Sequence, residues 1–167
     1  MSKTKTTVTI TVNGDEYRLG VGNAAGDISP ADTLAETLRE RLLLTGTKIS
    51  CDDGACGCCT VILNGKAVPS CTILTVECDG ADIQTIEGLQ NPRTGELDEV
   101  QQAFVDHSAF QCGYCTPGII MASEALLQEN PHPDEEEIKE ALAGNYCRCI
   151  SHYQVLEAVK QAAERRK

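Results

Sequence analysis

The sequence predicts an α+β chain in two halves: a small sheet with one helix packed across it, then an all-α half forming a four-helix bundle. Three observations carry this. Apolar residues alternate around Asn-Gly turns up to about residue 88, and then recur at helical spacing between cap residues. The ten cysteines divide six and four between those halves. The boundary falls near "GLQNPRTG", giving domains 1–88 and 89–167.

In "TTVTITV" Val8, Ile10 and Val12 share one face, "NGD" turns the chain and "EYRLG" returns, so residues 6–20 form a hairpin. "SPADTLAETLRERLLLTG" spaces Leu34, Leu38 and Leu42 four apart and closes at Gly46, as an amphipathic helix does. "CTVILNGKAVPSC" is a second Asn-Gly hairpin, and "ADIQTIEGL" a last strand. "LDEVQQAFVDHSA", "TPGIIMASEALLQEN", "DEEEIKEALAG" and "SHYQVLEAVKQAAERR" are four helices. Thr116 is read as an N-cap with Pro117 at N1. Asp134 with Glu137 and Ser151 with Gln154 have capping-box spacing, and Gly144 is a left-handed C-cap. The leading "MSKTK" is expected to be a tail without fixed structure, and the chain has no repeat.

The formal charge is −11, which disfavours a nucleic-acid partner, since phosphate contacts need a basic face. The "DEEE" run reads as a solvated helix start. No secretory h-region and no membrane-length apolar run precede or interrupt these elements, so a cytoplasmic protein is expected. In a reducing compartment clustered cysteines hold metal or do redox chemistry rather than form a disulfide framework.

"SCDDGACGCCTV" places Cys51-x4-Cys56-x2-Cys59, with Cys71 eleven intervening residues further on across the hairpin. This is the plant-type [2Fe-2S] spacing. Such a cluster is formally anionic, and Gly54 and Gly57 let the loop wrap closely enough to offer it backbone N–H groups. Cys58 falls outside the pattern and should point away from the iron, as a packing residue in preference to a spare ligand. Cys71 is preferred to Cys78 as the fourth ligand because the hairpin folds it back beside residue 59. The second group is Cys112-x2-Cys115 with Cys147-x-Cys149. Cys115 and Cys149 each precede a helix start, where free N–H groups favour thiolates. On spacing alone this group suits either a second cluster or a structural zinc. His107, His132 and His152 lack mutual ligand spacing.

The stretches "LTGTKISCDDGACGCCTVILNGKAVPSC", "FQCGYCTPGII" and "GNYCRC", in that order, closely resemble the small iron-sulfur subunit of the molybdenum hydroxylases, the xanthine oxidase family. That group includes carbon monoxide dehydrogenase, aldehyde and N-heterocycle dehydrogenases and hydroxybenzoyl-CoA reductase. The resemblance implies that Cys51, Cys56, Cys59 and Cys71 hold an outer [2Fe-2S] cluster in a β-grasp, plant-type ferredoxin-like domain. Cys112, Cys115, Cys147 and Cys149 would hold an inner cluster in the helical domain. Gln111 and Cys149 match positions that contact the pterin of a molybdenum cofactor on a large partner subunit, and an FAD-binding medium subunit would lie beyond the outer cluster.

The implied function is an electron relay from molybdenum-pterin to flavin or another acceptor, within an oxidoreductase whose substrate site lies on the partner. A free-standing two-cluster ferredoxin is the alternative. Two departures stand out: "CRCISHY" replaces the family's usual C-R-C-T-G-Y, and Cys58 replaces a small residue, commonly alanine.

Overall fold

The computed structural model describes residues 6–166, so the expectation for residues 1–5 lies outside it. Strands β1 (Thr6–Val12) and β2 (Asp15–Val21) form the first hairpin, with Val8 opposite Leu19 and Ile10 opposite Tyr17. Asn13 and Gly14 take the positive φ that a tight hairpin demands. Strands β3 (Thr60–Leu63) and β4 (Lys66–Pro69) repeat the device around Asn64 and Gly65. Strand β5 (Asp82–Gln84) inserts between the hairpins, parallel to β1 and antiparallel to β3, giving a mixed sheet of order β2-β1-β5-β3-β4.

Helix α1 (Leu34–Glu36) starts on a Thr33–Glu36 capping box and runs into one π-helical turn, Thr37–Arg41. Leu34 and Leu38 meet Val8, Ile10, Val12, Val61 and Ile83 in the sheet's core. Its end differs from expectation. Leu42 donates its N–H to Thr37 O at 3.1 Å, and Leu43, not Gly46, takes the left-handed conformation. Gly46 serves a close approach instead, because a Cβ there would lie 2.2 Å from Ile86 Cγ2.

The second half holds α2 (Glu99–Asp106), α3 (Thr116–Glu129), α4 (Glu135–Ala141) and α5 (His152–Arg165). The Asp134–Glu137 box is present as read, and an Asp98–Gln101 box starts α2. Three cap assignments shift. Cys115, not Thr116, occupies the N-cap of α3; Ser151 caps α5 through Tyr153 N–H without a reciprocal bond from Gln154; and Gly144 is absent from the positive-φ residues.

Helices α2 and α4, at 8 and 7 residues, are about half the length of α3 and α5, at 14 each. All four bury residues in one core that includes Phe104, Ile119, Ile138, Val155 and Val159. Helix α3 is buried on two sides, because Met121 and Ala125 also pack on Ile62 of β3. The helical half therefore sits against the sheet, not apart from it. No helix among the described residues is long and apolar enough to cross a membrane.

Candidate iron-sulfur centres

The loop 50–59 is shaped by positive φ at Asp52, Gly54 and Gly57. It delivers Cys51 and Cys56 half-buried and Cys59 buried. The hairpin β3–β4 then brings Cys71 back beside Cys59: Ser70 donates to Cys59 O through its N–H at 3.3 Å and its hydroxyl at 2.7 Å. Cys59, Cys71, Ala35 and Ile49 share one small apolar cluster. Cys78 lies in the sheet core, 2% exposed, with its thiol on Leu74 O.

In the second group Cys112 precedes Gly113, Cys115 heads α3, and Cys147 and Cys149 lie between α4 and α5. Cys112 and Cys149 are exposed, and their sulfurs are 3.6 Å apart. Cys115 is buried and pairs with half-buried Cys147. Two N–H groups, from Cys149 at 3.4 Å and Ile150 at 3.3 Å, converge on Cys147 Sγ. Gln111 lies exposed beside Cys112.

Cys112 and Cys149 are in direct contact, and the electrostatics place Cys51 beside Cys56, Cys59 beside Cys71 and Cys115 beside Cys147, with Cys58 also beside Cys56. Paired thiols facing one another suit the donor set of a two-iron cluster, with two thiolates to each iron. In this respect both groups fit a [2Fe-2S] centre.

Electrostatics within the pairs is uneven. Burial alone would raise the Cys56 thiol, but the N–H groups of Cys58 and Cys51 and the side chains of both bring it down to about 7. Burial pushes Cys71 up to about 12, with Cys59 adding to it. Cys115 is likewise pushed up to about 12, first by burial and then by Cys147. The helix start expected to favour a thiolate at Cys115 is thus outweighed by desolvation. Cys147 is the lowered member: burial opposes ionisation there, and the Ile150 N–H, the Cys115 side chain and the Cys149 N–H overcome it. Cys149, read as the thiolate at the α5 start, is raised, chiefly by Cys112. The free N–H groups at that turn point to Cys147 instead. A metal that takes the place of the shared protons releases them, so loading is coupled to pH.

A cleft of about 430 Å³ adjoins both groups, with Cys56, Cys58, Cys112, Cys115, Cys147 and Cys149 in its wall. Several contacts hold the two halves of this wall together. Gly57 O accepts from Asn145 Nδ2 at 3.0 Å, Tyr146 N–H donates to Cys56 O at 2.9 Å, and Tyr114 Oη donates to Ile49 O at 2.6 Å. Gly118 allows the approach, since a Cβ on it would lie 2.1 Å from Gly57 O. Sequence reasoning missed Gly118, Asn145 and Tyr114. A glycine in the first turn of a helix costs about 1 kcal/mol relative to alanine, and was the available signal of close packing.

Cys58 neither stands apart from the cluster residues nor joins a pair. Buried in the helical half's core, it faces Cys56. Burial is the main influence that pushes its thiol up to about 12, followed by Cys56. In the altered "CISHY" stretch, Ile150 is buried and donates to Cys147, while His152 and Tyr153 are exposed at the start of α5.

The comparisons agree with this geometry. A 2Fe-2S iron-sulfur cluster binding domain matches residues 11–84, and a [2Fe-2S] binding domain matches residues 85–160. The chain is 44% identical over 135 residues to the nicotine 6-hydroxylase small subunit of Paenarthrobacter nicotinovorans, covering 81% of this chain and 80% of that one. It is 40% identical over 161 residues to the nicotinate dehydrogenase small FeS subunit of Eubacterium barkeri, covering 96% and 97%. A chain of quinoline 2-oxidoreductase from Pseudomonas putida 86 superposes with a TM-score of 0.87 at 36% identity, with 98% of each chain covered. The chain accordingly belongs to the small [2Fe-2S] iron-sulfur subunits of the molybdenum hydroxylase, or xanthine oxidase, family.

Proposed function

We propose that this chain is the electron-transfer subunit of a multi-subunit molybdenum hydroxylase, serving a large subunit that carries molybdenum-pterin and an FAD-binding medium subunit or other acceptor. When bound, two [2Fe-2S] clusters supply one-electron carriers. Cys51, Cys56, Cys59 and Cys71 would hold the outer one, within a domain of residues 1–88. Cys112, Cys115, Cys147 and Cys149 would hold the inner one, within residues 89–167, where α2–α5 form the bundle.

The observation that carries this reading is the cleft between the halves: Cys56 of the outer set and all four cysteines of the inner set line it, from opposite halves of one chain. The rest of the site divides the labour. The buried Cys59 and Cys71 keep the outer set from water, and N–H donors on Cys56 and Cys147 favour thiolate there. The exposed Cys112 and Cys149 line the cleft together with the exposed aromatics Tyr114 and Tyr146, and Gln111 lies exposed beside Cys112. Exposed aromatics around a redox group suit a partner surface, and Gln111 and Cys149 would meet the pterin there.

The test is metal and sulfide analysis with EPR of the reduced protein purified from its native host. About four iron and four sulfide per chain, two distinct signals and co-purifying molybdenum are expected. Two iron with one zinc would overturn the second centre; four iron in a chain that runs alone would establish the free carrier instead.

A further inference from the structure

We propose that Cys112 and Cys149 form a reversible disulfide in this chain before the inner centre is loaded, so that loading waits on reduction. The inference rests on the reading of both residues as ligands of that centre. Their sulfurs are in direct contact at 3.6 Å, and both residues are exposed. A disulfide needs about 2.05 Å, and side-chain rotation covers the remaining approach. The two strips that carry the thiols are held from behind. On one side Gly113 takes a positive φ, its carbonyl accepts the Thr116 N–H at 3.3 Å, and Tyr114 Oη donates to Ile49 O at 2.6 Å. On the other, Asn145 and Tyr146 donate to Gly57 O and Cys56 O, and buried Ile150 directs its N–H to Cys147 Sγ. The facing of these two sulfurs is therefore a product of the fold. Cys115 is buried and Cys147 half-buried, which leaves Cys112 and Cys149 as the members of the group most open to an oxidant.

Spacing alone points elsewhere, since C-x2-C is the usual redox dithiol and would join Cys112 to Cys115. The structure instead brings together residues 37 positions apart. With oxidised glutathione as the oxidant, one thiolate of the pair attacks its disulfide, forming a mixed disulfide and expelling one glutathione thiolate. The other thiolate then attacks the mixed disulfide, forming the Cys112–Cys149 bond and expelling the second glutathione. Two electrons and two protons pass from the pair to oxidised glutathione, which ends as two thiols, and excess thiol reverses both steps. An exposed disulfide of this kind belongs to the labile, regulatory class. While it persists neither sulfur can ligate iron, and both are protected from irreversible oxidation to sulfinic acid.

The experiment treats the full, iron-depleted chain with oxidised glutathione under anaerobic conditions, maps its cross-linked peptides by mass spectrometry, and then offers iron and sulfide. The link is expected to join Cys112 to Cys149 and to exceed every other pair by about tenfold, the advantage of thiols held in contact. Iron uptake should stop at about two per chain, with the inner EPR signal missing, until dithiothreitol restores about four. Cys112→Ser should leave Cys149 as a mixed disulfide with glutathione and create no new link. A bond between Cys112 and Cys115, or glutathione adducts that never resolve into a bond, overturns the proposal, and so does equal loading of the oxidised and reduced chains. A chain that had lost its fold on iron depletion would pair cysteines near in sequence, because closing a long loop costs more. The map is therefore repeated on the loaded chain as a chelator withdraws iron in the presence of oxidised glutathione: the same link appearing first supports the proposal, and any other pair appearing first overturns it. A reduced wild-type chain without an inner signal would count against the functional reading alone, because the mapped link would still decide this proposal.

Discussion

At the scale of single residues, the pairing of thiols makes a sharp demand. Replacing one member of a pair should cost one centre and leave the other. Cys147→Ser, which removes the sulfur that two N–H groups address, is expected to lower iron from about four to about two per chain and abolish one EPR signal. Cys78→Ala should keep both signals and lose about 1 kcal/mol of stability, since its thiol is buried in the sheet core away from either set. Loss of a signal in Cys78→Ala would displace Cys71 from the ligand set. The ligand candidates were legible because metal spacing is local and the hairpin that returns Cys71 is announced by Asn64-Gly65. What a sequence could not show is which thiol each N–H would address. Cys147 receives the donors that helix starts suggested for Cys149, and Cys115 loses its helix advantage to burial, because desolvation depends on packing by residues distant in sequence.

At the scale of elements, α3 is the piece on which the site depends. Its first turn carries Cys115 and Gly118, and its later residues Met121 and Ala125 press on β3. Two effects of Gly118→Ala oppose one another. Alanine favours the helix by about 1 kcal/mol, but the new Cβ would meet Gly57 O at 2.1 Å, and that oxygen belongs to the main chain of the ligand loop. Overpacking against backbone costs about 1–3 kcal/mol, so the variant should be destabilised despite its better propensity, with early loss of the outer centre's visible absorbance on heating. Stabilisation would show that the loop can retreat. Strands and caps were readable where a local rule dominates: Asn13-Gly14 and Asn64-Gly65 for the hairpins, and Asp134 with Glu137 for α4. The end of α1 was not, because its stop is a π turn closing on Leu43, while Gly46 answers to Ile86, forty residues away.

At the scale of the whole molecule, the question is whether the two halves behave as one body. Their sequence signatures are separate, with alternation before residue 88 and helical periodicity after it, and nothing local announces that Asn145 will reach Gly57. Yet Asn145 is 7% exposed and its amide donates to that carbonyl at 3.0 Å, beside the Tyr146-to-Cys56 and Tyr114-to-Ile49 bonds, above the packing of Ile62 on Met121 and Ala125. A seam that is both apolar and hydrogen-bonded should couple the halves, since opening it exposes core and orphans polar groups together. Heating the loaded chain should then bleach the clusters and melt the far-ultraviolet helical signal at the same temperature. Asn145→Ala removes one buried bond, worth about 1 kcal/mol, and should lower both midpoints together by about 2–4 °C. The pairing of the two shifts is the informative part. If the helical signal melts alone in the variant while the outer centre's absorbance persists, the halves are independent units joined by a weak contact, and the cleft between the two thiol sets would open without unfolding either. A common shift means the distance between the centres is fixed by the same contacts that hold the fold, as a relay with no moving parts requires.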